Sequence, residues 1–340
     1  MARSNKGKGT DRHTELGLKE DDLRSMYKTM LLARFCDERQ WALNRQGKAP
    51  FVVPVSGHEA AQVGSAWAFE KGKDVFCPYY RDMALVLALG YTPRDVFLGL
   101  FGKKEDPASG GRQMPAHWGS RKFNIITGSS PISTQVLHAA GAAYAKKYLK
   151  EDAVVGTWFG EGGTSEGDWH GAMNLAGIHQ LPLIFICENN RYAISVHEDK
   201  QVAGRVYKRA DGYGFPGHEA DGNDLLETFK YTKEAVDRAR AGEGPTLLEL
   251  RTYRFFSHTS DDDDRTYRSR DEVDEARRND PIPRFEEYLK SVDLLDDDQV
   301  EKTRSEAKEE VMQGASEAQE ADFPDPLDAA KNVYADIEVV

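Results

Sequence analysis

The chain has 340 residues, 39% of them hydrophobic and 10% aromatic, which is enough apolar material for a sizeable core and excludes wholesale disorder. Its 45 Lys and Arg stand against 57 Asp and Glu, a formal charge of −12, so nucleic acid and anionic membrane, which both need a basic face, are not expected as partners. A small anionic ligand needs only a local cradle of amides, a cation or a metal, and stays open.

In chain order, residues 1–17 are basic at first, nearly free of apolar side chains, and read as a mobile tail. They lack the apolar region of a secretory signal and the amphipathic face of a mitochondrial presequence. Asp21 or Asp22 can cap a helix towards Gly47, with Leu23, Met26, Tyr27, Met30 and Leu31 on one face. Further helices are expected over 59–69 and 82–89. Residues 102–131 are rich in Gly, Pro and Ser without a steady period, and a loop of that length is more often functional than decorative. An Ala-rich helix is expected from Ile132 to Leu149, a buried strand from Ala153 to Phe159, a helix over 165–179 and a second buried strand from Leu183 to Cys187. Strand, helix, strand with short connections is a βαβ unit, hence a parallel sheet. A helix over Leu225–Arg240, a strand over 245–256 and charged helix beyond 284 complete the pattern. The expected fold is α/β, a doubly wound parallel sheet flanked by helices, with helical extensions at both ends. Residues 18–283 would form the site-bearing domain and 284–340 a C-terminal extension. Cys36, Cys77 and Cys187 have no paired spacing and read as buried reduced thiols, which suits a cytoplasmic protein.

In such sheets ligands sit beyond the carboxyl ends of the strands. The two clearest strands deliver Gly160-Glu161-Gly162-Gly163 and Glu188-Asn189-Asn190 to that edge. The glycines let the backbone approach a phosphate. Glu161 would repel a bare phosphate unless a divalent cation intervened, and Glu161 and Asn190 offer one oxygen from each strand tip to a hard cation such as magnesium. The residues therefore point to a diphosphate held through Mg2+.

The stretch from Gly160 to Asn190 resembles the thiamine-diphosphate motif, which begins Gly-Asp/Glu-Gly and ends Asn-Asn about 30 residues on. With GHEAAQVG, PYYRD, GGRQMPAHWG, SSPISTQ, ENNRYAIS and TYRFFSHTSDDD, the chain over about 20–290 resembles alpha subunits of the decarboxylating component of 2-oxoacid dehydrogenase complexes. The resemblance implies the thiamine-diphosphate-binding fold, with Glu161, Asn190 and the Tyr192 carbonyl as Mg2+ ligands. Cofactor contacts are implied at Tyr79, Tyr80, Arg81, Ser130, Pro131, Ile132, Gly160, Gly162, Gly163, Thr164, Ser165, Glu166, Ala193, Ile194, Ser195 and His258. Ile132 would wedge beneath the bent cofactor. Phe51, Tyr80, Met114 and Ser130 would border the 2-oxoacid, and His258, which titrates near neutral pH, would serve charge balance or proton transfer. Ser129, Pro131, Thr134 and Gln135 match a monovalent (K+) site. Implied partners are a beta subunit, in a heterotetramer of two alpha and two beta chains, and the lipoyl domain of an acyltransferase.

The implied reaction is oxidative decarboxylation of a 2-oxoacid with acyl transfer to lipoyl. GGRQMPAH and SSPISTQ favour branched-chain substrates of the 3-methyl-2-oxobutanoate type, with pyruvate and acetoin as alternatives. Glu188, where branched-chain members carry Arg, leaves that choice open. A dinucleotide-binding oxidoreductase is disfavoured because Ser165 stands where a third glycine belongs, and a scaffold without chemistry because the site residues are retained together. His58 and His138 read as structural histidines, Asp261–Asp264 as solvated charge.

Overall fold

The computed structural model describes residues 11–331. Helices α1 (Arg12–Glu15), α2 (Glu20–Arg45) and α3 (Glu59–Trp67) lead into strand β1 (Val75–Cys77), followed by α4 (Met83–Leu89) and α5 (Pro93–Phe101). Then come α6 (Thr134–Tyr148), β2 (Val155–Gly160), α7 (Gly167–His179), β3 (Leu183–Asn189) and the short strands β4 (Tyr192–Ala193) and β5 (Val196–His197). The chain continues through β6 (Gly217–Asp221), α8 (Leu225–Arg240), β7 (Thr246–Arg251), α9 (Arg270–Arg277), α10 (Pro281–Ser291) and α11 (Asp297–Glu320).

Among the described residues the main sheet has five strands in the order β1-β2-β3-β7-β6, every neighbouring pair parallel, while β4 and β5 form a separate antiparallel hairpin. Strand side chains alternate between two apolar layers. Trp158, Ile184, Ile186, Leu248 and Leu250 pack with α2–α5, α8, α10 and α11 on one face. Phe159, Leu183, Phe185, Cys187 and Leu247 pack under α6 and α7 on the other. Burial on both faces is why β3 reads as a continuous apolar run, as parallel strands do. The expected doubly wound sheet is therefore present. No helix among the described residues is long and apolar enough to cross a membrane, and all three cysteines are buried and free.

Three differences from the sequence reading have local causes. Of the expected tail, residues 1–10 lie outside the described residues, but 11–17 are packed: Arg12 pairs with Asp224 at 2.9 Å, and buried His13 bonds Tyr288 through Nδ1 at 2.8 Å. The C-terminal helices share the main core, because α11 contributes Val300, Ala307, Val311, Ala315 and Ala318 to the layer that holds α2. Strands β1 and β6 and helix α5 escaped the pattern. Residues 217–221 (Gly-His-Glu-Ala-Asp) carry no apolar alternation, and pairing with β7 alone makes them a strand. Helix α5 starts at a Thr92-Pro93 signal, with Thr92 Oγ1 accepting from the Asp95 N–H at 3.2 Å, but contains Gly99.

Candidate active site

Strands β2 and β3 are direct neighbours, and their register pairs Gly160 with Glu188, so Glu161 and Asn190 emerge side by side from the carboxyl edge. Glu161 opens a tight 3-10 turn through Ser165, closed by the Thr164 hydroxyl donating to the Glu161 carbonyl at 2.7 Å. A Cβ on Gly162 would meet Ala193 Cβ at 2.8 Å, and one on Gly163 would meet Ser133 Oγ at 2.6 Å, so this turn packs only as glycine. The Asn190 N–H donates to Glu161 Oε2 at 3.2 Å, and Asn190 Oδ1 accepts from the Tyr192 N–H at 3.2 Å. Glu161 is 1% exposed and its Oε1 has no hydrogen-bond partner. Burial pushes the Glu161 carboxyl up to about 7.

The paired asparagines have separate tasks. Asn189 turns away from the edge and donates from Nδ2 to Glu198 Oε2 at 3.0 Å and Glu249 Oε1 at 2.7 Å, anchoring the β4–β5 hairpin to the sheet. Arg251 grips Glu198 at 2.6 Å from two nitrogens. Against the upward push of burial, that ion pair and the Asn189 and Arg191 bonds hold the Glu198 carboxyl down to about 2.

Opposite Glu161 stand two buried cations with no carboxylate within salt-bridge reach among the described residues. Arg81, 1% exposed, donates to Pro54 O at 2.6 Å and to His258 Nδ1 at 3.2 Å, and its Nε has no partner. Arg254, 0% exposed, donates to Ile194 O at 2.9 Å and Tyr192 O at 3.4 Å, and reaches His258 Nδ1 at 3.4 Å. Burial first, then Arg81 and Arg268, lower Arg254 to about 10. Because a guanidinium only donates, His258 Nδ1 must accept and its proton sits on Nε2. Burial, Arg81 and Arg254 together lower His258 to about 3. The expectation of a histidine titrating near neutrality is therefore corrected: in the chain by itself His258 is a neutral Nε2–H donor.

Glu188 points away from this edge. Its Oε2 accepts from Gln62 Nε2 and Tyr79 OH, each at 3.0 Å, and its other oxygen faces Asp82, whose Oδ2 accepts from the Tyr79 N–H at 2.8 Å. Burial and mutual repulsion raise Asp82, and burial raises Glu188, so the two carboxyls hold a proton between them and brace the Tyr79-Tyr80-Arg81 segment from beneath.

A cavity of about 310 Å³ lies between these groups. Of the expected residues, Tyr79, Tyr80, Arg81, Ser130, Ile132, Gly160, Glu161, Gly162, Gly163, Asn190, Tyr192, Ala193, Ile194 and His258 line it, as do Ser129 and Gln135. Pro131, Thr164, Ser165, Glu166, Thr134 and Ser195 do not. Thr164 is occupied by Arg209, which bonds its carbonyl at 3.0 Å and its hydroxyl at 2.9 Å, and Ser165 Oγ accepts from Gln201 at 2.9 Å. Phe51 and Met114 are also outside the lining. The neighbouring Val52 exchanges bonds with Ser260 at 3.0 and 3.1 Å, which sets Phe51 at the foot of the His258 loop, while Met114 is 53% exposed on the long loop. Ser133 and Phe159 join the lining unannounced; both precede or end regular elements, where apolar pattern carries no signal.

The aspartate run is likewise not plain solvated charge. Asp262 Oδ2 accepts from the His258 N–H at 2.7 Å and from Tyr267 OH, and Asp264 pairs with buried Arg268 at 2.6 Å, so two of the four acids fold the loop that presents His258.

The cavity thus holds an anionic oxygen that lacks a donor and a guanidinium that lacks an acid. A cation at the first and a phosphate at the second satisfy both, so the donor set fits a metal-bound diphosphate. No cluster of three His, Cys, Asp or Glu occurs among the described residues; a cation here would take amide, carbonyl and phosphate oxygens beside one carboxylate.

A family model described as "Dehydrogenase E1 component" matches residues 27–327. The chain is 50% identical over 327 residues to a 2-oxoisovalerate dehydrogenase subunit alpha of Bacillus subtilis (strain 168), spanning 96% of this chain and 99% of that protein. It is 38% identical over 331 residues to a 3-methyl-2-oxobutanoate dehydrogenase subunit alpha of Mycobacterium tuberculosis (strain CDC 1551 / Oshkosh), covering 96% and 86% of the two chains. To the mitochondrial 2-oxoisovalerate dehydrogenase subunit alpha of Mus musculus it is 36% identical over 323 residues, 94% of this chain and 72% of the other.

Proposed function

The chain belongs to the dehydrogenase E1 component family as an alpha subunit of the branched-chain 2-oxoacid type, and on that premise we propose how its residues serve the decarboxylation of 3-methyl-2-oxobutanoate and related 2-oxoacids. The family implies thiamine diphosphate as cofactor and a beta subunit as partner. When bound, thiamine diphosphate supplies a nucleophilic carbon and an electron sink for the loss of carbon dioxide.

Glu161, Asn190 and the Tyr192 carbonyl hold Mg2+, with Arg81 and Tyr80 on the diphosphate and Gly162 and Gly163 giving it room. The observation that carries this reading is the pairing of opposite deficits in one cavity: Glu161 Oε1 without a donor, Arg81 without an acid. Arg81 suits the task because its planar fork matches phosphate oxygens, and it has a free Nε. His258, held as the Nε2–H tautomer, donates a hydrogen bond at the cavity wall; a diphosphate beside Arg81 offsets the positive field and returns the ring towards a titratable state. Ser130 is held by His117, whose Nε2 lies 2.6 Å from its hydroxyl, and stands at the mouth with Ile132. Ser129, Pro131, Thr134 and Gln135 form the monovalent-cation site of this reading, which Ser129 and Gln135 support by lining the cavity.

The carboxylate that activates the cofactor ring, and the wall that Phe51 and Met114 would complete, belong to the contact with the beta chain in a heterotetramer of two alpha and two beta chains. The apolar side chains around the cavity mouth, Ile194 at 55% exposure and Met114 at 53%, support such a cover. Acyl transfer to a lipoyl domain and a cytoplasmic location complete the reading, the latter supported by the bacterial relative of half-identical sequence. Residues 18–283 carry the site in it, and 284–340 buttress it.

The test is the complex with its beta chain, assayed for kcat/KM on 3-methyl-2-oxobutanoate and on pyruvate. The branched substrate is expected to be preferred by at least about tenfold, what one or two methylenes can discriminate. A higher value for pyruvate overturns the substrate assignment, and cofactor binding indifferent to Mg2+ overturns the site.

A further inference from the structure

We propose that His58 is a positioning residue that decides which end of the Asn190 carboxamide faces the cation site. The proposal rests on the metal reading above but concerns a residue that makes no contact with the cavity.

An Asn side chain offers a carbonyl oxygen on one arm and an NH2 on the other, nearly equal in shape, and only the oxygen can ligate a cation. Something must therefore break the symmetry at Asn190, which is 4% exposed and has no bulk water to arbitrate. His58 does this by an unambiguous chain of donors. It is 0% exposed at the head of α3, and its Nδ1 lies 3.0 Å from Val55 O. A carbonyl only accepts, so Nδ1 carries the proton and neutral Nε2 is a bare acceptor. Nε2 stands 3.1 Å from the Asn190 side-chain nitrogen. The contact is favourable only if that atom is the NH2, which turns Oδ1 to the other side, where it accepts from the Tyr192 N–H beside Glu161. The flipped amide would set its oxygen against the lone pair of His58 Nε2 and its NH2 against the Tyr192 N–H, losing both bonds in a buried site. His58 thereby acts on the metal through Asn190, as outer-shell partners do when they orient a ligand.

The test uses the complex with its beta chain. Apparent Mg2+ affinity is read from quenching of tryptophan fluorescence on thiamine diphosphate binding, and from bound Mn2+ by electron paramagnetic resonance. H58L, which keeps bulk and loses the acceptor, is expected to weaken metal affinity about 10- to 100-fold. H58Q, whose carbonyl can accept from Asn190, is expected to restore most of it at equal or lower melting temperature. N190D presents an oxygen on either arm, so the H58L effect should shrink to under about threefold in that background, a comparison that holds even if H58L lowers stability. Equal losses for H58L and H58Q, or an undiminished H58L effect in N190D, overturn the proposal. E161A separates it from the reading beneath: metal dependence abolished by E161A but untouched by H58L defeats the His58 assignment alone, whereas metal dependence unchanged by E161A defeats the site itself.

Discussion

Arg81 donates a guanidinium N–H to Nδ1 of His258 across 3.2 Å, although 177 residues separate them in the chain. The contact brings the segment after β1 onto the loop after β7, and it leaves a second buried cation, Arg254, on the same nitrogen. Both loops depend on it.

The first prediction concerns pH. His258 is lowered to about 3 by burial, Arg81 and Arg254, against about 6.5 when unfolded. Between those values the unfolded chain binds the extra proton, so folding stability falls as pH drops below 6.5. At pH 5 the loss attributable to this group is about 2 kcal/mol. H258Q should lack that share, so its stability relative to the parent rises between pH 6.5 and 5 in urea titrations. A parallel pH dependence of the two proteins refutes the assignment.

Glu161 is held for binding rather than folding. Its buried Oε1 has no donor, so E161Q, which removes charge and keeps shape, should leave the cofactor-free protein as stable as the parent or about 1–2 kcal/mol more so. Calorimetric titration with Mg2+ and thiamine diphosphate should show affinity reduced at least about 100-fold. Loss of both stability and binding would mean a structural role instead.

Arg34 locks the framework beneath the site. It donates to Glu59 Oε1 at 2.6 Å and to Asp280 at 2.9 and 3.0 Å, joining α2, α3 and the start of α10. Glu59 is 0% exposed, so R34A strands a buried charge and should cost about 3–5 kcal/mol. R34K, a point charge without the fork, should recover less than half. Urea midpoints within about 1 kcal/mol of the parent for R34A would contradict this.

Gly57 has φ +101°, and a Cβ there would lie 2.0 Å from the Tyr253 carbonyl. G57A must push the strand after β7 away, at a cost of about 2 kcal/mol or more. Because Arg254 is the next residue, the displacement should also weaken Mg2+-dependent cofactor binding. Fluorescence titration showing intact binding in a destabilised G57A would separate the two effects and refute the coupling.

How much of this was legible in the sequence follows from what each residue reports. Glu161 and Asn190 stand where two strongly apolar strands end, so type and position alone put them together. Helix α8 matches its expected bounds, Leu225–Arg240, because its period is unbroken and Asp224 caps it. Arg254, His58 and Gln62 were invisible as site residues, since their importance lies in partners 60 or more positions away. The roles of Asp262 and Asp264 were hidden for the opposite reason: a run of four acids looks alike at every position until His258 and Arg268 select two of them. Phe51 and Met114 depend on surfaces that this chain does not complete by itself.

The pairing of Gly160 with Glu188 has an evolutionary corollary. Adjacent parallel strands run about 4.8 Å apart whatever links them, so the two donors stay in reach of one ion while the crossover between them lengthens, shortens or changes composition. Drift in α7 and its connections is tolerated. A single residue inserted within β3 is not, because it would invert every side chain beyond it and carry the carboxamide to the opposite face of the sheet.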